Sequence, residues 1–141
     1  MEGRFLNSED KTERPNFRAL SHQGSGSYVG LETFPNPGCH SVTYASDEIV
    51  AYCPITAQPD FYTMEMTLLG TEKCIESKSL KIWLRQFNDP AVGLFGEALA
   101  VFIRNEVGEV LGYEDEEDVL NHVQVILTQK SRGGITIRSI A

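Results

Sequence analysis

Tyr62-Thr63-Met64-Glu65-Met66-Thr67-Leu68 alternates apolar and polar side chains without a break. Side chains on a strand point to opposite faces in turn. This run therefore puts Tyr62, Met64, Met66 and Leu68 on one face and Thr63, Glu65 and Thr67 on the other. A sheet that is apolar on one side needs a second layer to cover it. The chain supplies that layer directly afterwards. In Ser77–Phe87 the residues Leu80, Trp83, Leu84 and Phe87 recur at i, i+3, i+4 and i+7, the period of a helix with one buried stripe. Asp89-Pro90, a capping residue followed by a proline suited to the first helical position, predicts a second helix. That helix is expected to run to about Val107, with Leu94, Phe95, Ala98, Leu99, Phe102 and Ile103 as its stripe.

Strands are expected on either side of the helices. Ser41–Ala45 alternates, with Val42 and Tyr44 on one face; Asp47-Glu48 reads as a turn or bulge, and Ile49–Tyr52 resumes the strand. Glu32–Gly38 carries two prolines and a glycine and reads as an irregular entry segment. Glu114–Asp118 reads as an acidic connection. His122–Thr128, with Val123, Val125 and Leu127 on one face, and Gly134–Arg138, with Ile135 and Ile137, read as closing strands. The order is ββααββ. It predicts an α+β domain in which an antiparallel four-stranded sheet carries two helices on one face. Residues 1–27, polar and ending in Gly24-Ser25-Gly26-Ser27, read as an extended or partly disordered arm, which leaves 28–141 as a single domain. The glycines between Gly24 and Gly30 do not form a dinucleotide-binding turn. The third comes one place late, no strand precedes them and no helix follows.

Composition narrows the function classes. Hydrophobic residues make up 41%, enough for a core, and twenty acidic residues against twelve basic leave a net charge of −8. That balance argues against a general nucleic-acid or membrane surface, which needs a basic field. No apolar run approaches the roughly twenty residues of a membrane span, and Met1 to Arg18 holds no apolar signal segment, so a cytoplasmic protein is expected. Cys39, Cys53 and Cys74 show no paired spacing, and His22, His40 and His122 share no ligand spacing. Neither a disulfide framework nor a metal site is expected.

Three segments offer chemistry. Cys53 ends a strand and is followed by Pro54. A cysteine there is a small buried hydrophobe or a nucleophile, and a nucleophile needs an electropositive setting to reach the thiolate form. Lys78 and Lys81 are candidates for that setting. Asp60, after Pro59, reads as a turn residue or as a general acid returning near the thiol. Glu76-Ser77-Lys78-Ser79-Leu80-Lys81 reads as a helix start with Ser77 as cap and two lysines on a solvated face. The same residues also read as an anion site built from free N–H groups and the lysines. Arg132-Gly133-Gly134 has similar character, because arginine grips oxyanions with two N–H groups. Glu97 lies off its helix stripe, as a solvated side chain or as the lining of a subunit cleft.

The segments Glu32-Thr33-Phe34-Pro35-Asn36, Cys53-Pro54-Ile55-Thr56-Ala57-Gln58-Pro59-Asp60-Phe61, Glu76–Lys81, Phe95-Gly96-Glu97 and Arg132-Gly133-Gly134-Ile135 stand in an order that spans most of residues 21–138. In them the chain resembles the NADPH-dependent 7-cyano-7-deazaguanine reductases of the queuosine pathway, in their short single-domain form. The Glu-Ser-Lys-Ser-Leu-Lys hexapeptide and the Cys-Pro to Gln-Pro-Asp run are the most specific parts. The resemblance implies the tunnelling fold, with sheets joined side by side into a pentameric barrel. Two barrels would stack as a decamer, with active sites between subunits. It implies Cys53 as the nucleophile that forms a thioimide with the nitrile and Asp60 as the proton donor. Ile75, Glu76, Ser77, Gly96 and Glu97 would line the substrate pocket, Glu97 as a buried carboxylate against the guanine-like N–H edge. Ser77, Lys78, Lys81, Arg132 and Gly133 would hold NADPH. The implied partner is a small deazapurine and not a nucleic acid.

The chain departs from the family pattern at Gly96, where the family has histidine. A two-residue expansion around Asn88–Gly93 accompanies the change. It departs again at Ala57, where a glycine is usual and a non-glycine backbone conformation is expected. Two other functions share the resemblance: an amidine-forming enzyme acting on the same nitrile in tRNA, and a non-catalytic deazapurine-binding protein.

Overall fold

The computed structural model describes residues 30–141; the arm expected over 1–27 and the glycine run from Gly24 lie outside the described residues. The elements are β1 (Thr33–Pro35), β2 (Ser41–Tyr52), β3 (Pro59–Leu69), β4 (Lys73–Ile75), α1 (Ser77–Leu84), α2 (Gly96–Val110), α3 (Glu116–His122), β5 (Val123–Arg132) and β6 (Ile135–Ile140). β2, β3, β5 and β6 form one antiparallel sheet in that order. The alternation of β3 is realised as drawn from the sequence: Tyr62, Met64, Met66 and Leu68 are all buried. Leu127, Val125 and Val123 stand opposite Met64, Met66 and Leu68 on the same face. Leu80 and Trp83 of α1, Phe87 of the 3-10 turn after it, and Leu99, Ala100, Ile103 and Val107 of α2 close over that face. β2 is one strand with a register shift between Ser46 and Ile49, the bulge expected at Asp47-Glu48.

Four local expectations are corrected. Glu32–Gly38 is not wholly irregular, since Thr33–Pro35 pairs with β4 and Phe34 stands opposite Cys74. Its prolines restrict the pairing to three residues without preventing it. The second helix begins at Gly96 and not at Asp89-Pro90. Asp89 instead closes a tight turn, its carboxylate accepting from the N–H of Ala91 at 2.9 Å and its carbonyl from the N–H of Val92 at 3.0 Å. Gly93 then takes φ +39°, which leaves the helical path. Leu94 and Phe95 therefore precede the helix and Ala98 is exposed, whereas Phe102, though partly exposed, stacks on Trp83 and meets Phe87 edge-on. The acidic segment after Tyr113 is helix α3. The Asp115 side chain accepts from the N–H of Asp118 at 2.8 Å, and Glu116, Glu117 and Asp118 complement the positive helix end. Finally, Ile135 and Ile137 are exposed, because β6 is the outer strand and nothing in the described chain covers its outer part.

Candidate active site

The turn between β2 and β3 builds the nucleophile's surroundings. Cys53 N–H donates to the carbonyl of Gln58 at 3.0 Å, and Ala57 N–H donates to the carbonyl of Cys53 at 2.9 Å. Thr56 N–H points at the Cys53 sulfur, 3.5 Å away. To close this turn Ala57 adopts φ +58°, the left-handed region that glycine favours. The expectation of a non-glycine conformation is therefore overturned, at a cost of about 1 kcal/mol. The Thr56 side chain and the N–H groups of Thr56 and Ile55 hold the Cys53 thiol below its ordinary range. Partial burial and the Asp60 carboxylate oppose them more weakly. The electropositive setting is thus local. Lys78 and Lys81, expected to supply it, line a different cleft.

Asp60 opens β3 directly after the turn. Arg132 Nη2 lies 3.2 Å from its Oδ1. The same guanidinium donates to Gln58 Oε1 at 2.7 Å and to the Pro59 carbonyl. Arg132, which the sequence assigned to phosphate, therefore braces the turn and the carboxylate in the single chain. Gly133, at φ +65°, forms the β5–β6 turn beyond it. Cys53, Asp60, Tyr62, Phe95, Gly96, Glu97, Ala98, Gln129 and Ile137 line one open cleft of about 660 Å³. Glu97 is exposed there in the single chain, so its carboxylate can meet a ligand.

The remaining expected residues lie at the start of α1. Glu76, not Ser77, is the cap. Its two carboxylate oxygens accept from the N–H groups of Lys78 and Ser79, each at 2.8 Å, and it is buried. The two N–H groups that an anion would have used are therefore already engaged. Ile75 is also buried, and both of its main-chain polar groups bond the Tyr44 hydroxyl, at 2.8 and 2.9 Å. Ser77, Lys78, Lys81, Ile82 and Arg85 line a second cleft. Its three cations form no ion pair among the described residues, and α1 has no acid in its first turn. That donor set suits the phosphates of a dinucleotide. Arg85 escaped the sequence reading, although it follows Lys81 by one helical turn and faces the same way. Thr56, Gln58 and Tyr62 escaped it too. They act through a turn and a packed face whose partners lie far away in the chain.

No family model matches the chain. It is 36% identical over 84 residues to a protein named NADPH-dependent 7-cyano-7-deazaguanine reductase from Anaeromyxobacter sp. (strain Fw109-5), covering 57% of this chain and 67% of that one. A protein of the same name from Chlorobium phaeobacteroides is 34% identical over 109 residues, 75% of this chain and 86% of that one. Another, from Alkalilimnicola ehrlichii, is 35% identical over 114 residues, 79% and 81% of the two chains. The match spans a smaller part of other relatives, such as 65% of the protein from Syntrophobacter fumaroxidans. Among solved structures, the apo form of the archaeosine synthase QueF-Like shares the fold, with a TM-score of 0.58 at 15% identity over 74% of this chain and 93% of that one.

Proposed function

Because the chain belongs to the family of NADPH-dependent 7-cyano-7-deazaguanine reductases, we propose that it reduces the nitrile of 7-cyano-7-deazaguanine to the primary amine 7-aminomethyl-7-deazaguanine. The observation that carries this reading is a thiol activated by turn N–H groups in the same cleft as the Asp60 carboxylate. Asp60, paired with Arg132, takes the thiol proton. The Cys53 sulfur then forms a bond to the nitrile carbon. The displaced π pair moves to nitrogen, which collects the proton from Asp60 and leaves a thioimide. Bound NADPH supplies the hydride for each of two reductions of that carbon. Between them the nitrogen's electron pair closes the C=N bond of an imine as the C–S bond breaks and Cys53 departs as a thiolate, a step favoured by the same Thr56 and Ile55 groups that lowered its pKa; a proton from water then completes the amine. Glu97 accepts from the N–H edge of the deazaguanine ring, two donors meeting two oxygens.

Neither cleft of one chain holds both the nucleophile and the cationic set. The reading therefore completes the site between chains. The open sheet supports this, with β2 and β6 as its edges and Ile135, Ile137 and Ile140 exposed on β6. Unpaired edges of this kind join to further strands. Side-by-side pairing of sheets into a pentameric barrel, two barrels stacked as a decamer, satisfies them.

The test is oxidation of NADPH, followed by absorbance, on adding the nitrile. Two equivalents consumed per nitrile are expected. Lys78→Ala should raise the NADPH concentration needed for half-maximal rate by roughly 10-fold or more, the scale of one hydrogen bond to a charged group. It should leave covalent addition to Cys53 intact. Adduct formation without any oxidation at saturating NADPH would reject the reductase reading and favour the amidine-forming or binding-only one.

A further inference from the structure

Tyr62 occupies the space that Gly96 leaves open. A Cβ built on Gly96 would come within 2.9 Å of Tyr62 Cε2, closer than such atoms approach, and within a tight 3.2 Å of its hydroxyl oxygen. The tyrosine is only 1% exposed, with its ring in the core. It nevertheless lines the cleft that holds Cys53, Asp60 and Glu97. It follows Asp60 by two residues on β3, so both side chains leave the same face of the strand. Among the described residues its hydroxyl has no hydrogen-bond partner. A buried hydroxyl without a partner lowers stability, and phenylalanine would fill the same volume without that cost. The polar atom is accounted for if something entering the cleft completes it. Burial, then the negative groups Asp60, Glu97 and Cys53, push its pKa up to about 12, so at neutral pH the phenol is a donor.

Resting on the reaction proposed above, we propose that Tyr62 is a further catalytic residue whose hydroxyl donates a hydrogen bond to the nitrile-derived nitrogen of a substrate bonded to Cys53. Charge develops on that nitrogen as the C–S bond forms. Asp60 delivers one proton to it, and the phenol stabilises the charge from the same strand face. A donor aimed at developing charge is worth roughly 10²-fold in rate or more. The ring of the substrate also carries acceptors, its carbonyl oxygen among them, but the nitrile-derived nitrogen is the acceptor tied to Cys53, which shares this cleft with the phenol.

The experiment compares Tyr62→Phe with wild type, adding 7-cyano-7-deazaguanine without NADPH and timing the increase in protein mass. Adduct formation slowed by roughly 10²-fold, with an unchanged or raised melting temperature, is the expected result. A wild-type rate in Tyr62→Phe overturns the proposal, as does slowing that only parallels a lowered melting temperature. Gly96→His and Tyr62→Ala/Gly96→His provide the second arm. The single variant should lose the adduct by collision with Tyr62, and the double variant should regain part of it. A single Gly96→His variant that reacts like wild type overturns the proposal. The assay needs no NADPH. Wild-type protein that adds the nitrile but oxidises no cofactor therefore rejects the reductase reading while Tyr62 is still judged on adduct rate. Wild-type protein that forms no adduct rejects both.

Discussion

Cys53→Ala is expected to abolish the mass increase that 7-cyano-7-deazaguanine produces in wild-type protein, and with it NADPH oxidation, a loss of at least roughly 10⁴-fold. Cys39→Ala and Cys74→Ala should leave both intact. The contrast follows from the three environments. Cys74 is buried, and burial pushes its thiol up from the ordinary range. Cys39 is exposed but has no turn N–H aimed at its sulfur among the hydrogen bonds of its loop. Cys53 has its pKa lowered. The sign is testable with a thiol-alkylating reagent. Cys53 reacts as the thiolate, so its rate should climb with pH and level off at a lower pH than a free thiol's, while Cys74 should remain slow throughout. An adduct that survives Cys53→Ala would remove this residue from the mechanism.

Asp60→Asn should slow adduct formation by roughly 10²-fold or more, the usual scale for a general acid. The amide keeps the shape but cannot carry the thiol's proton to nitrogen. It also removes the ion pair to Arg132. That side chain is 50% exposed, however, so the stability lost should stay below about 1 kcal/mol. The separation matters for interpretation: a slow enzyme with a near-native melting temperature locates the defect in proton transfer. Unchanged rates would return Asp60 to the role of a turn residue braced by Arg132.

What the sequence made legible was periodicity. β3 could be drawn face by face because its alternation matches its burial, and α1 because Leu80, Trp83 and Phe87 repeat at helical spacing. Element boundaries failed where a side chain had two local options. Asp89-Pro90 satisfies both a helix start and a tight turn, and Gly93 decides for the turn. Ser77 and Glu76 both suit an N-cap, and only the longer glutamate spans two N–H groups at once. The acids before His122 read as a solvated connection because no apolar stripe marks so short a helix; Asp115 and the helix dipole hold it. Cys53 and Asp60 were visible as neighbours in one turn. The source of the thiol's acidity was not, since it depends on which way the Thr56 side chain and two backbone N–H groups point. The fit of Tyr62 over Gly96 was hidden for another reason: it joins two residues thirty-four positions apart, and no local pattern links a tyrosine on a strand face to a glycine at a helix start.

With the site completed between chains in a ring, as proposed above, the separation of the two clefts has a genetic consequence. A chain that lost Cys53 still has an intact Lys78 surface, and a chain that lost Lys78 still has an intact thiol. Each variant alone would be defective. Unfolded together and reassembled in equal amounts, they would produce junctions in which one neighbour contributes the working thiol and the other the working cations. Random mixing around a ring makes such junctions about one quarter of the total. Two defective alleles would then complement each other, and the recovered fraction would count how many chains build one active site.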